Sequence, residues 1–118
     1  MFKEYLKSKI HEATINEANL NYTGSIEIDE ELMKASNIRE FEKVLVANID
    51  NGNRFETYVI KGKWGEKKIG LNGAAARLGE VGDRIIIMSF AFLDEKEEAN
   101  FKPKIVILDE KNNIIQKL

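Results

Sequence analysis

Few side chains in this sequence can do chemistry, and they fall in short blocks. Lys9 and His11 stand two apart in SKIHEATI, so on a strand both would leave the same face. His11 is the only histidine and cysteine is absent. A metal site would therefore rest on carboxylates, none of which are grouped at ligand spacing, and no metal is expected. A Ser-His-Asp triad would have to use His11, but the strained GxSxG elbow that exposes such a serine is missing. The stretch Asn72-Gly73-Ala74-Ala75 has neither the GxGxxG nor the GxxxxGK[ST] pattern that cradles phosphate, and alone it is a turn into a short helix. Asn21 to Ser25 (NYTGS) is likewise a bend before a strand. Thr57 and Tyr58, adjacent on a strand, would point to opposite faces, and Arg54 at a turn is by default a surface cation.

The elements that must position these residues are mostly strands. Val44 to Ile49 and Arg54 to Ile60 are rich in β-branched and aromatic residues and are separated by a stretch containing Asn51-Gly52, which predicts a hairpin. Further strands are expected at Ser8 to Ile15, Ser25 to Ile28, Arg84 to Phe92 and Lys104 to Leu108. Helix signals are short: Asp29 can cap Glu30 to Ala35, and Asn72 can cap Ala74 to Leu78 ahead of Gly79. Asp94 to Lys102 mixes both charge signs and reads as a solvated loop or helix turn. Many short strands with brief helices point to a mainly β fold, a closed or nearly closed barrel.

A chain of 118 residues that is 43% hydrophobic suits one domain. Its 18 lysines and arginines against 20 acids give a net charge of -2, which calls for no nucleic acid partner. The absence of cysteine fits a reducing compartment, and neither a signal peptide nor an apolar membrane span is visible, so a cytoplasmic protein is expected.

Four blocks occurring together and in order change the reading of these residues. KIHEATI with Lys9 and His11, LNYTGSIEID with Tyr22, Gly24 and Ser25, NGNRFETY with Arg54, Thr57 and Tyr58, and LNGAAA with Asn72, Gly73, Ala74 and Ala75 resemble the signature of the pyruvoyl-dependent aspartate 1-decarboxylases. The similarity continues through VGDRIIIMSF to the strand near Val106 and so covers nearly the whole chain. It implies a small double-psi β-barrel with short helices, assembled as a homotetramer. It also implies self-cleavage between Gly24 and Ser25, giving a short chain 1–24 and a pyruvoyl chain 25–118. The implied activity is decarboxylation of L-aspartate to β-alanine and CO2, supplying pantothenate and coenzyme A biosynthesis, with a covalent pyruvoyl group derived from Ser25 and neither metal nor pyridoxal phosphate.

The residue types suit that reaction. Loss of the α-carboxylate leaves a carbanion, and an N-terminal ketone that holds the substrate amine as a Schiff base can accept the electron pair. Ser25 can attack the Gly24 carbonyl, and elimination from the resulting ester leaves a dehydroalanine that hydrolyses to the ketone. Gly24, without a Cβ, permits the bend. By resemblance, Thr57 would donate a hydrogen bond near that carbonyl, a contact of a kind worth about 2.7–4 kcal/mol. Arg54 is the candidate bidentate clamp for a substrate carboxylate and Lys9 the second cation. Backbone groups of Gly73, Ala74 and Ala75 would contact substrate, and Asn72 would orient that turn or touch the cleaved linkage. His11 and Tyr22 would line the site. Tyr58, whose phenol keeps its proton at neutral pH, would protonate the carbanion carbon. Some members of the family carry tryptophan where this chain has Ala47, which bears on pocket shape. Two alternatives remain: a non-catalytic barrel that binds a partner, and a pyruvoyl decarboxylase for another amino acid such as glutamate.

Overall fold

A computed structural model describes all 118 residues, Met1–Leu118. The chain runs β1 (Lys3–Thr14), β2 (Glu17–Asn19), β3 (Ser25–Asp29), α1 (Glu30–Ser36), β4 (Lys43–Asn48), β5 (Arg54–Gly62), β6 (Ile69–Asn72), a 3-10 turn (Gly73–Arg77), β7 (Arg84–Leu93), α2 (Glu95–Glu98), β8 (Lys104–Leu108) and β9 (Ile114–Lys117). The strands join in the order β2-β6-β3-β5-β4-β7-β1-β8-β9. Parallel pairs β2/β6, β3/β5 and β1/β8 interleave with antiparallel ones, in agreement with the interlocked double-psi barrel that the resemblance implies. Ile10 of β1, Ile26 of β3, Val46 of β4, Val59 of β5, Leu71 of β6, Ile87 of β7 and Val106 of β8 all belong to one buried cluster. A sheet whose strands share one core must curl around it, so the mainly β, barrel-like architecture expected from the sequence is what forms.

The β4/β5 hairpin alternates as its sequence predicts, with Val44 and Val46 buried and Leu45 only partly so. Asp29 caps α1: its fully buried carboxylate accepts from the Glu31 N–H at 2.8 Å. The same carboxylate accepts from the N–H groups of Gly65 at 2.9 Å and Lys67 at 2.6 Å, which ties the loop before β6 to the helix start. Three strands were not expected. Glu17–Asn19, Ile69–Asn72 and Ile114–Lys117 are at most four residues long, and β6 contains Gly70 and Asn72, which disfavour strands; it forms because β2 and β3 pair with it on both edges. The expected helix after Asn72 is instead a 3-10 turn over Gly73–Arg77, and the Asn72 side chain does not cap it.

Candidate active site

Ser25 opens β3 opposite Asn72 of β6 and is only 1% exposed. Its hydroxyl lies 3.5 Å from the Thr23 carbonyl and accepts a 3.3 Å hydrogen bond from Asn72 Nδ2. Freed from helix capping, the Asn72 amide is aimed at the serine, and its Oδ1 is buried without a partner. Gly73 follows at a φ of 66°, in the left-handed region. A Cβ at Gly73 would stand 2.6 Å from Gly24 Cα, 2.7 Å from Gly24 N and 2.9 Å from the Tyr22 carbonyl oxygen, so only glycine lets this turn press on the junction.

The open space beside Ser25 comes from a mismatch in strand length. β4 pairs with β5 from Arg54 to Tyr58, whereas β3 meets β5 only from Val59 onward. The edge of β5 over Phe55, Glu56, Thr57 and Tyr58 is therefore free, and it walls a cleft of about 360 Å³ with Gly24 and Ser25, and with Ala74, Ala75 and Leu78 opposite. Val59 N donates to the Glu42 carbonyl and Asn48 N to the Asn53 carbonyl, so odd-numbered peptide groups of β5 face β4. By alternation the Glu56 and Tyr58 peptide groups face the cleft. Thr57 and Tyr58 do leave opposite faces, yet both border the same cleft because it lies along the strand's edge. The cleft is of a size that suits a small amino acid.

The other site candidates are elsewhere. Lys9 and His11 share the outer face of β1, beside Ile105 and Ile107 of β8, and neither lines the cleft. His11 Nδ1 is buried without a partner. Arg54 is exposed at the start of β5 opposite Ala47, also outside the cleft, and Ala47 is buried at 9% exposure. Tyr22 is 56% exposed in the loop ahead of Gly24 and approaches Gly73 through its carbonyl. One chain thus assembles the Gly24–Ser25 junction, Thr57, Tyr58, Ala74 and Ala75, with Asn72 and Gly73 behind them, and leaves both candidate cations on its outside.

A family model described as aspartate decarboxylase matches residues 1–115. The chain belongs to the aspartate decarboxylase family. It is 64% identical to the aspartate 1-decarboxylase of Caldicellulosiruptor bescii over 98% of this chain and 91% of that one. The aspartate 1-decarboxylase of Acetivibrio thermocellus is 60% identical, with the same two coverages. That of Aliarcobacter butzleri is 59% identical over 94% of this chain and 87% of its own. Among solved structures, a computationally designed protein, msDPBB_sym2, overlaps 74% of this chain and 99% of its own at a TM-score of 0.46 and 17% identity.

Two further contacts frame the cleft. The Leu78 carbonyl at the end of the 3-10 turn receives the side-chain amides of Asn48 at 3.2 Å, Asn51 at 3.1 Å and Asn53 at 3.2 Å, so the hairpin loop pins the cleft wall that carries Ala74 and Ala75. Phe41 lies against Tyr58 with ring centroids 6.4 Å apart. The Asn51-Gly52 pair showed a turn, but neither contact has a local sequence signal, because each joins segments separated in the chain.

Proposed function

We infer that this chain is a self-processing decarboxylase that converts L-aspartate to β-alanine and CO2, using a pyruvoyl group made from Ser25. One observation carries the reading: the exposed Gly24 and the buried Ser25 that follows it line a cleft that Thr57, Tyr58, Ala74 and Ala75 also border. The residues present fit formation of the group. Ser25 Oγ attacks the Gly24 carbonyl carbon, and the acyl group passes from nitrogen to oxygen. Loss of the Ser25 α-proton then expels the Gly24 carboxylate, leaving a dehydroalanine at the new N-terminus. Hydrolysis releases ammonia and leaves the ketone, with chains 1–24 and 25–118 as products. Asn72 Nδ2 holds the attacking oxygen, and its unpartnered Oδ1 leaves an acceptor at the junction. Thr57, which borders the same cleft, would donate to the Gly24 oxygen as charge develops there.

A pyruvoyl group at position 25, held at the start of β3 beside Asn72, would supply the electron sink that decarboxylation of a bound amino acid requires. Tyr58 supplies the proton that completes β-alanine. The cleft-facing peptide groups of β5 and the turn over Gly73–Arg77 hold the substrate backbone. Lys9 and Arg54 reach a cleft only from another copy of the chain, so their role as carboxylate clamps belongs to the homotetramer. No helix is long and apolar enough to cross a membrane, and the proposed setting is the cytoplasm, with β-alanine passing to pantothenate and coenzyme A synthesis. Intact mass under denaturing conditions tests the reading. The wild-type chain is expected as two fragments and Ser25→Ala as one chain without turnover; a 25–118 fragment from Ser25→Ala would overturn the processing chemistry.

A further inference from the structure

Phe41 occupies a position that suits its side chain badly. It is the third residue of a turn closed by the Glu42 N–H on the Arg39 carbonyl at 3.2 Å, and its φ is 69°. Glycine or asparagine meets that demand; for a bulky aromatic residue it is an outlier. The other non-glycine residues with positive φ have evident reasons. Asn37 and Asn112 are of the type that tolerates it, Glu12 lies in a break of the β1 register, and the Lys67 N–H is held by buried Asp29. The turn at Arg39–Glu42 explains the angle of Phe41, but it does not explain a phenyl ring there.

Burial within its own chain does not explain it either, since Phe41 is 71% exposed there. What the ring has is Tyr58: the two lie at a tilt of 38°, within the range of favourable aromatic pairs. The backbone fixes this encounter. Phe41 N donates to the Val59 carbonyl at 2.7 Å, the Val59 N–H donates to the Glu42 carbonyl at 3.0 Å, and Tyr58 pairs with Lys43. Tyr58 is itself 39% exposed at the border of the cleft, so a ring on its outer side limits where the phenol can swing. Backbone strain kept without burial beside a reacting group marks a functional constraint.

We propose that Phe41 is a positioning residue for Tyr58, holding the phenol at the cleft so that its proton reaches the substrate carbon. The proposal rests on the reading of Tyr58 as proton donor. Phe41 takes no part in the Gly24–Ser25 cleavage, and its removal relieves strain.

The test compares the full-length wild type with Phe41→Gly, Phe41→Tyr, Tyr58→Phe and the double variant Phe41→Gly/Tyr58→Phe. Self-cleavage is followed by intact mass, kcat and KM for L-aspartate by β-alanine formation, and stability by thermal melting. Phe41→Gly is expected to cleave fully and melt at or above the wild-type temperature, while kcat falls about three- to ten-fold with KM little changed. Phe41→Tyr keeps the ring and restores kcat. In the Tyr58→Phe background the same glycine substitution costs nothing further, because the group it positions has lost its proton. Wild-type kcat in Phe41→Gly, or an equal loss in both backgrounds, overturns the assignment of Phe41 alone. A wild-type chain that stays whole and makes no β-alanine overturns the underlying reading, and the proposal falls with it.

Discussion

At Gly73 one missing Cβ sets the geometry of the Gly24–Ser25 junction, the proposed cleavage point. Alanine there would bring a carbon to 2.6 Å from Gly24 Cα while holding a φ of 66°, which alone costs about 1–2 kcal/mol for an L-residue. Relief requires the turn to back away from Gly24, taking Asn72 and its contact to Ser25 Oγ with it. Gly73→Ala is therefore expected to fold but to cleave at least ten-fold more slowly in a mass time course; wild-type cleavage would show that the junction tolerates the displacement. Tyr58→Phe should behave in the opposite way, cleaving normally while β-alanine formation drops roughly 10²–10⁴-fold, the range for one general acid. An uncut Tyr58→Phe chain would move Tyr58 into processing. These residues were legible in the sequence because the blocks holding Ser25, Thr57, Tyr58 and Ala74 to Ala75 resemble a known signature. Phe41 was not, since its meaning lies in a backbone angle and a neighbour seventeen positions away that spacing does not reveal.

Between the elements, a half-buried ion pair fixes the turn that carries Phe41. Lys7 of β1 meets Glu42 at 3.0 Å and also donates to the Asn37 carbonyl at the end of α1, while Glu42 accepts from the Arg39 N–H at 3.0 Å. Burial would raise the Glu42 carboxyl, but the Arg39 N–H and the Lys7 ammonium together hold it below its ordinary value. A carboxyl depressed in the folded state stabilises the protein fully above its unfolded pKa, and that contribution disappears as pH falls through the folded value. Glu42→Gln is accordingly expected to melt below wild type at pH 7, with the gap closing as pH falls below the ordinary glutamate value and through the lower folded one. A gap that stays constant with pH would separate Glu42 ionisation from stability. The β4/β5 hairpin and the Asp29 cap follow from short-range chemistry and were readable in advance. β1 reaches back to Lys3, further than the alternation in Ser8 to Ile15 suggested, because β7 pairs along its whole length. β6 was hidden because Gly70 and Asn72 look like turn residues until β2 and β3 flank them.

The whole molecule leaves its proposed substrate clamps facing outward. Lys9 stands opposite Met88, Met88 opposite Leu45, and Leu45 opposite Glu56, so three strand spacings, about 14 Å, separate Lys9 from the strand that borders the cleft. Arg54 lies four residues along β5 from Tyr58, about 13 Å away. The face they share also presents Leu45, Ile86, Met88 and Phe90, with Phe90 40% exposed, an apolar surface of the kind a second copy covers. If assembly delivers Arg54 to a neighbour's cleft, two defective chains can repair each other. Ser25→Ala lacks the reacting group but carries an intact Arg54; Arg54→Ala is processed but binds aspartate poorly, at a cost on the order of 2–5 kcal/mol. Co-expressed in equal amounts, they should form mixed assemblies in which about a quarter of the sites join a processed cleft to an intact arginine, with near wild-type KM in those sites. Each variant expressed alone should lack that high-affinity activity. Absence of rescue in assemblies shown by mass to contain both chains would place Arg54 in its own chain's site, or outside any site, and the proposed division of labour between copies would fall.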